Sequence, residues 1–326
     1  MMEYIKSIAI PQVKEILSNY GDIAVLWWDT PADMTKEMCK MLNDIVEQYP
    51  NLITNDRLGP GTRGDLSTPE QYIPPTGLKD RNWEVCMTMN GHWGYNAYDD
   101  NWKSTHDLLQ KLVDIASKGG NFLLNVGPTA EGIIPEVCQT TLREMGQWLQ
   151  LNGEAVYGTT ASPFPYLPWG RATRKGQTLY LHVFDWQPNG TILVPMKSQA
   201  VRAYLLADRQ NSLKTSRTKE GIAITQPAYA PDKDVSVIAL EFKGNLQVED
   251  APSVKAVMRA DGNVVRELND NSEETRWTAA NDSKEATIDI ELPAEQTVQA
   301  VTLNEHFGPW VGVRQTFFLQ YEKGGQ

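Results

Sequence analysis

Between Pro11 and about Leu151 short apolar runs alternate with amphipathic stretches, and few folds accept that pattern. The amphipathic stretches predict helices over 11–19, 35–48, 104–118 and 135–151; the runs between them predict strands over 22–28, 51–55, 83–89 and 121–126. Pro11 and Pro135 suit a first helical turn, Ser104 suits an N-cap, and Gly119-Gly120 marks a helix stop. Strands that alternate with helices build a parallel sheet. The run Ile23-Ala24-Val25-Leu26-Trp27-Trp28 accordingly reads as a strand buried on both faces. Only 56–82, rich in Gly, Pro, Asp and Thr, breaks the alternation, and interruptions of that length in compact domains are usually functional.

After Leu151 the pattern changes to short alternating segments, 177–184, 191–194, 200–206 and 235–242, which together predict an antiparallel β-sandwich. A polar stretch, 243–252, then leads to a third β-rich region with strands near 286–292, 298–303 and 315–321. The expected division is 1–153, 154–242 and 251–326. A chain of 326 residues with 41% hydrophobic content can bury two or three such cores. Its net charge of -11 repels polyphosphate, so neither nucleic acid nor an anionic membrane surface is an expected partner. No apolar stretch reaches membrane-spanning length, and the start Met-Met-Glu-Tyr-Ile-Lys lacks the apolar region of an export signal. Cys39, Cys86 and Cys138 are too scattered for a disulfide framework and read as small buried hydrophobes. His92, His106, His182 and His306 fall nowhere at ligand spacing, so neither a metal nor another cofactor is expected.

Polar residues gather at the strand ends. Asp29 ends the first predicted strand, Asn55-Asp56-Arg57 the second, Thr88-Met89-Asn90 the third and Asn125-Val126-Gly127-Pro128 the fourth. Catalytic side chains of βα-repeat folds come from the carboxyl ends of strands, which makes Asp29 a candidate nucleophile or general acid/base. The long interruption adds Glu70, the third strand adds Glu84, and Gly91-His92-Trp93-Gly94-Tyr95-Asn96 adds Trp93. Carboxylates, one arginine and indole faces suit a sugar better than a phosphate, because sugar rings offer C–H faces to stack and hydroxyls to hydrogen-bond.

A series of motifs then occurs in a fixed order: Asn19-Tyr20-Gly21-Asp22 leading into Leu26-Trp27-Trp28-Asp29, Asn55-Asp56-Arg57, Thr68-Pro69-Glu70-Gln71-Tyr72, Trp83-Glu84-Val85-Cys86-Met87-Thr88, Trp93-Gly94-Tyr95, Gly119-Gly120-Asn121-Phe122-Leu123-Leu124-Asn125-Val126-Gly127-Pro128 and Asn152-Gly153-Glu154-Ala155-Val156-Tyr157. From about residue 4 to residue 242 the chain resembles the α-L-fucosidases of glycoside hydrolase family 29. Thr30-Pro31, where many members have Gly, looks like a bacterial variant. The resemblance implies an α/β plus all-β protein: a partial (β/α)8-like barrel followed by an antiparallel β-sandwich. The third region weakly resembles a discoidin-like β module, here partial.

The same resemblance implies an exo-glycosidase that releases terminal α-linked fucose from fucosylated glycans or glycoconjugates by a retaining double displacement. Asp29 then corresponds to the nucleophile. Glu70 is the first choice for the acid/base because a loop can carry it over the sugar, and Glu84 is the second, with substrate orientation as its other reading. Arg57 corresponds to the arginine that holds substrate near the nucleophile, with an ion pair to Asp56 or Glu84 as its structural role. Trp93 is expected against the apolar C6 side of fucose, and Trp28, beside Asp29, is expected to wall the pocket. The barrel strands that come before residue 11 in the family, with their hydroxyl-gripping histidines, have no match here. The chain is therefore expected to be impaired alone, and its uncovered sheet to favour oligomerisation; a catalytically inactive carbohydrate-binding fragment is the alternative.

Overall fold

The computed structural model describes residues 1–29, 32–249, 256–268, 277–279 and 285–294. It divides into two compact units, Met1–Glu249 and Asp250–Gln326.

The first unit opens on a helix that begins nine residues before Pro11: α1 (Met2–Tyr4), a π-helical stretch Ile5–Ala9, and α2 (Ile10–Asn19). Proline has no N–H to give and its ring crowds the carbonyl four residues back; a wider π-turn just ahead of Pro11 opens that room, so the helix continues through the proline. Next come β1 (Val25–Leu26), α3 (Lys36–Val46), β2 (Ile53–Thr54), β3 (Leu66–Ser67), β4 (Asn82–Thr88), α4 (Thr105–Ser117), β5 (Asn121–Asn125) and α5 (Glu136–Asn152). The Thr35 hydroxyl caps α3 by accepting from the Met38 N–H at 3.3 Å. Ser104 and Asp107 form a reciprocal capping box on α4, as expected of Ser104. That helix stops where Gly119 turns to φ +80° and the Gly120 N–H reaches back to the Ile115 carbonyl at 3.0 Å. Pro135 stands at the N-cap, one place before the first turn of α5.

All five strands are parallel. β1 pairs β2, β3 pairs β4, β4 pairs β5, and a single Asn55–Leu66 bridge joins the two groups in the order β1-β2-β3-β4-β5. Four strands were expected; β3 is the fifth, formed inside the long interruption. The expectation that β1 lies buried on both faces is corrected. Leu26 and Trp28 pack with Ile5, Val13, Leu17, Met38 and Leu42 beneath the helices. On the opposite face Val25, Ile53 and Leu123 remain 44%, 43% and 43% exposed. Among the described residues helices thus cover one face of the sheet only, and no closed barrel forms.

The sandwich follows. β6 (Gly170–Lys175), β7 (Thr178–Val183), β8 (Thr191–Val194), β9 (Gln199–Leu205), β10 (Asp208–Ser212), β11 (Thr215–Thr218), β12 (Gly221–Thr225) and β13 (Ser236–Lys243) make a five-stranded sheet, β10-β9-β13-β7-β6, and a three-stranded sheet, β11-β12-β8. Leu179, Leu181 and Val183 of β7 meet Ile192 and Val194 of β8 and Ile222 and Ile224 of β12 between the sheets. Tyr180, Tyr204, Val237 and Ala239 point the other way, onto Leu108, Leu109, Val113, Met145 and Trp148 of the helices. The larger sheet is therefore buried on both faces, and its second core ties 154–242 to 1–153 in one unit.

That core contains one group with an acid liability. His182 is fully buried; its Nε2 lies 3.1 Å from the Thr173 hydroxyl, which donates its own proton to the Ala155 carbonyl. Nε2 must then carry the ring proton, and Nδ1 is left without a partner. Burial, eased in part by the Ala155 carbonyl, lowers the His182 pKa to about 3 from its ordinary 6.5. Between those values the unfolded chain binds a proton that the folded chain refuses. Stability is expected to fall by about 1.4 kcal/mol per pH unit below about 6.5 from this residue alone. Urea unfolding at stepped pH measures the slope, which should flatten in His182→Gln.

In the second unit β14 (Val257–Ala260), β15 (Asn263–Val264) and β16 (Ile288–Glu291) form an antiparallel sheet in the order β15-β14-β16. The strand expected over 286–292 falls on β16; those expected near 298–303 and 315–321 lie outside the described residues.

Candidate active site

Side chains alternate across a strand, so Val25, Trp27 and Asp29 share the open face of the sheet, as do Glu84 and Cys86 of β4. Arg57, just past β2, ties this face together. Its Nη1 donates to Glu70 Oε2 at 2.6 Å and to Asp29 Oδ1 at 3.3 Å. Its Nε donates to the Thr68 hydroxyl at 2.8 Å, and Nη2 donates to the Thr68 carbonyl at 2.9 Å and to Cys86 Sγ at 3.2 Å. The guanidinium also lies 4.7 Å from the ring centre of Trp27. Burial is the largest influence and works against the charge of Arg57, but Glu70, Cys86 and Asp29 together outweigh it and the pKa ends raised.

The long interruption is built to hold these partners. Asp65 accepts from the Thr54 N–H at 2.7 Å, and Asp56 accepts from the Thr68 N–H and hydroxyl at 3.1 and 2.8 Å. Asp56 therefore positions Thr68, and the ion pairs expected between Arg57 and Asp56 or Glu84 give way to pairs with Glu70 and Asp29. Nor does a mobile loop carry Glu70. It bridges Cys86 in parallel register, with the Gln71 N–H on the Cys86 carbonyl at 2.9 Å and the Cys86 N–H on the Pro69 carbonyl at 3.2 Å. Gly64, at φ +60°, lets the chain pass so close that a Cβ there would lie 2.3 Å from the Asn55 carbonyl oxygen. Gly64→Ala is expected to break the Asn55–Leu66 bridge and cost about 2 kcal/mol or more, read as a lower urea midpoint.

Three carboxyl groups thus occupy one face in different settings. Asp29 is open, its side chain 61% exposed, whereas Glu70 is 21% exposed and committed to Arg57. Glu84 is half-buried, and burial raises its carboxyl above the ordinary range; the Trp27 side chain partly offsets this. Cys86 lies under the guanidinium with its thiol pushed up to about 11, mainly by burial, so it stays neutral.

Trp28 does not wall this site. Its side chain is on the helix-covered face, and its backbone N–H and carbonyl pair with the Asn55 amide at 2.7 and 2.9 Å. Trp27 takes the place expected of it, and counting by two from Asp29 would have selected it. Trp93 lies on the segment after β4, where its carbonyl accepts from Asn125 Nδ2 at 2.7 Å. Gly127 abuts that segment so closely that a Cβ would fall 2.8 Å from Tyr95 N. Among the described residues no cluster of three or more His, Cys, Asp or Glu could hold a metal ion, and no helix is long and apolar enough to cross a membrane.

Residues 1–154 match the family model described as alpha-L-fucosidase. An alpha-L-fucosidase isoenzyme of Paenibacillus thiaminolyticus is 36% identical with a TM-score of 0.67, over 75% of this chain and 63% of that one. The alpha-L-fucosidase of Vibrio sp. strain EJY3 is 31% identical with a TM-score of 0.66, over 79% of this chain and 49% of that one. The curated alpha-L-fucosidase of Dictyostelium discoideum is 28% identical over 70% of this chain and 54% of its own length. The chain spans about half the length of the curated relatives it matches. Residues 1–154, which carry the ordered motifs, thus match the alpha-L-fucosidase family, and the chain shares its fold with these enzymes.

Proposed function

We propose that the open face of β1–β5 serves the hydrolysis of terminal α-L-fucosyl linkages with retention of configuration. The observation that carries the reading is the pairing of an exposed strand-end carboxylate, Asp29, with a half-buried carboxyl of raised pKa, Glu84, on the face that Arg57 organises. Two carboxyl groups in unlike settings are what double displacement needs. Asp29 Oδ attacks the anomeric carbon as the bond to the leaving oxygen breaks, and the Glu84 proton goes to that oxygen. Water then attacks the fucosyl ester, Glu84 takes back one of its protons, and Asp29 leaves as the carboxylate. Arg57 holds Asp29 in place for both steps.

Glu84 replaces Glu70 as the preferred proton donor. A general acid must be protonated at working pH, which burial promotes at Glu84, while one Glu70 oxygen is already the acceptor of a 2.6 Å bond from Arg57. Activity governed by Glu84 should fall as pH rises through its raised pKa, placing the basic limb above the ordinary carboxylate range. Glu84→Gln is expected to slow natural, poor leaving groups by about 100-fold or more and activated aryl fucosides much less. The reverse pattern, with Glu70→Gln showing that dependence, would restore Glu70.

The exposed Val25, Ile53 and Leu123 favour a qualified version of this reading. Transition-state orientation depends on a surrounded sugar, so turnover is expected to be slow until this face is covered. A sugar-binding protein without turnover is the second reading. Release of nitrophenol from an aryl α-L-fucoside, against an Asp29→Ala control, separates the two.

A further inference from the structure

The indole of Trp27 is held in an unusual way. One face receives the Arg57 guanidinium at 4.7 Å, yet its Nε1–H is buried and closes no hydrogen bond. A buried indole N–H ordinarily finds an acceptor, and leaving it unmet costs stability. On the same open face the Glu84 carboxyl is close enough for the indole to hold its pKa down, although no full hydrogen bond closes between them. Glu84 comes from β4 and Trp27 follows β1, so the two approach each other across the open face rather than as strand neighbours. The other titratable or charged groups of this cluster are Asp29 past β1, Arg57 past β2, Glu70 past β3 and Cys86 on β4.

We propose that Trp27 is a positioning residue whose ring fixes Arg57 and whose unmet Nε1–H is the donor reserved for the ionised form of Glu84. While Glu84 carries its proton, the carboxyl is a weak acceptor and the N–H stays unmet. When the proton leaves, the carboxylate gains an acceptor's full strength and draws the indole into a charge-assisted hydrogen bond. One donor thus stabilises the anion that forms on proton donation, without stabilising the acid that precedes it. Differential stabilisation of that kind assists the proton transfer itself. The catalytic consequence rests on the reading of Glu84 as the proton carrier; the linkage between the two side chains does not.

The test therefore avoids turnover. In the full chain labelled with ¹⁵N-tryptophan, the Trp27 indole cross-peak is assigned by its loss in Trp27→Phe, which keeps an aromatic plate for Arg57. Titration from acid to neutral pH should move this peak downfield with one midpoint, and Glu84→Gln should abolish the movement while Glu70→Gln leaves it. In chain labelled with ¹³C-glutamate, Trp27→Phe should raise the Glu84 midpoint by about one pH unit, the loss expected for one donor to a charged acceptor. A merely structural tryptophan would move neither signal. An indole peak that is flat with pH, one that still titrates in Glu84→Gln, or a Glu84 midpoint unchanged or lowered in Trp27→Phe would overturn the proposal. Linkage without fucoside turnover in any variant would leave the positioning role standing and sink the fucosidase reading instead.

Discussion

Asp29→Ala is expected to lower fucoside turnover by about 1,000-fold or more relative to the unsubstituted chain, with partial rescue by azide. Asp29 follows β1 and is the most exposed of the three carboxyl groups on the open face, so it can reach a sugar that the others reach only in part. Its restraint is the 3.3 Å contact with Arg57, which orients the carboxylate without burying it. Removing the side chain takes away the attacking atom and leaves Arg57 paired to Glu70, so the fold should persist. That makes the variant a test of chemistry rather than of folding. Turnover within about tenfold of the parent would remove Asp29 from the mechanism.

Arg57→Ala is expected to have the largest effect on stability, about 2–4 kcal/mol, together with loss of turnover. The side chains of Arg57 and Glu70 are only 18% and 21% exposed, so solvent cannot replace the lost partner at little cost. The Thr68 carbonyl, Cys86 Sγ and the face of Trp27 lose a donor or a cation in the same step. Arg57→Lys restores a charge but not the planar fork that serves Thr68, Glu70 and Cys86 together, and should recover less than half of the loss. Urea unfolding measures both variants. A cost below about 1 kcal/mol for Arg57→Ala would mean that the cluster is a surface ion pair and not an organising contact.

Much of the first unit was legible because its signals are local. Capping residues and the Gly119-Gly120 stop lie within a turn of the helix ends they set, and β4 and β5 carry enough apolar residues to be recognised alone. Strands β10 and β11 were not legible: Asp208–Ser212 and Thr215–Thr218 are polar and exposed, and they are ordered by pairing with β9 and β12 rather than by any pattern of their own. β3 escaped notice for a similar reason, since two residues between Gly64 and Pro69 become a strand only beside β4. Within the site, residue types at strand ends pointed to Asp29 and Arg57. Adjacency misled at Trp28, because neighbours along a strand face opposite ways. The commitment of Glu70 to Arg57 and the burial of Glu84 depend on contacts between separate strands, which spacing along the chain does not reveal.

The most direct measurement is covalent trapping. A 2-fluoro-fucosyl fluoride combines a good leaving group with an electron-withdrawing substituent that slows both steps, the second enough for the glycosyl-enzyme to accumulate even where attack is slow. Incubation of the folded chain, followed by intact mass measurement and peptide mapping, should show one added 2-fluoro-fucosyl group, on the peptide containing Asp29, and none in Asp29→Ala. A label on Glu70 or Glu84, or no label on a chain that nevertheless releases fucose, would contradict retention through Asp29.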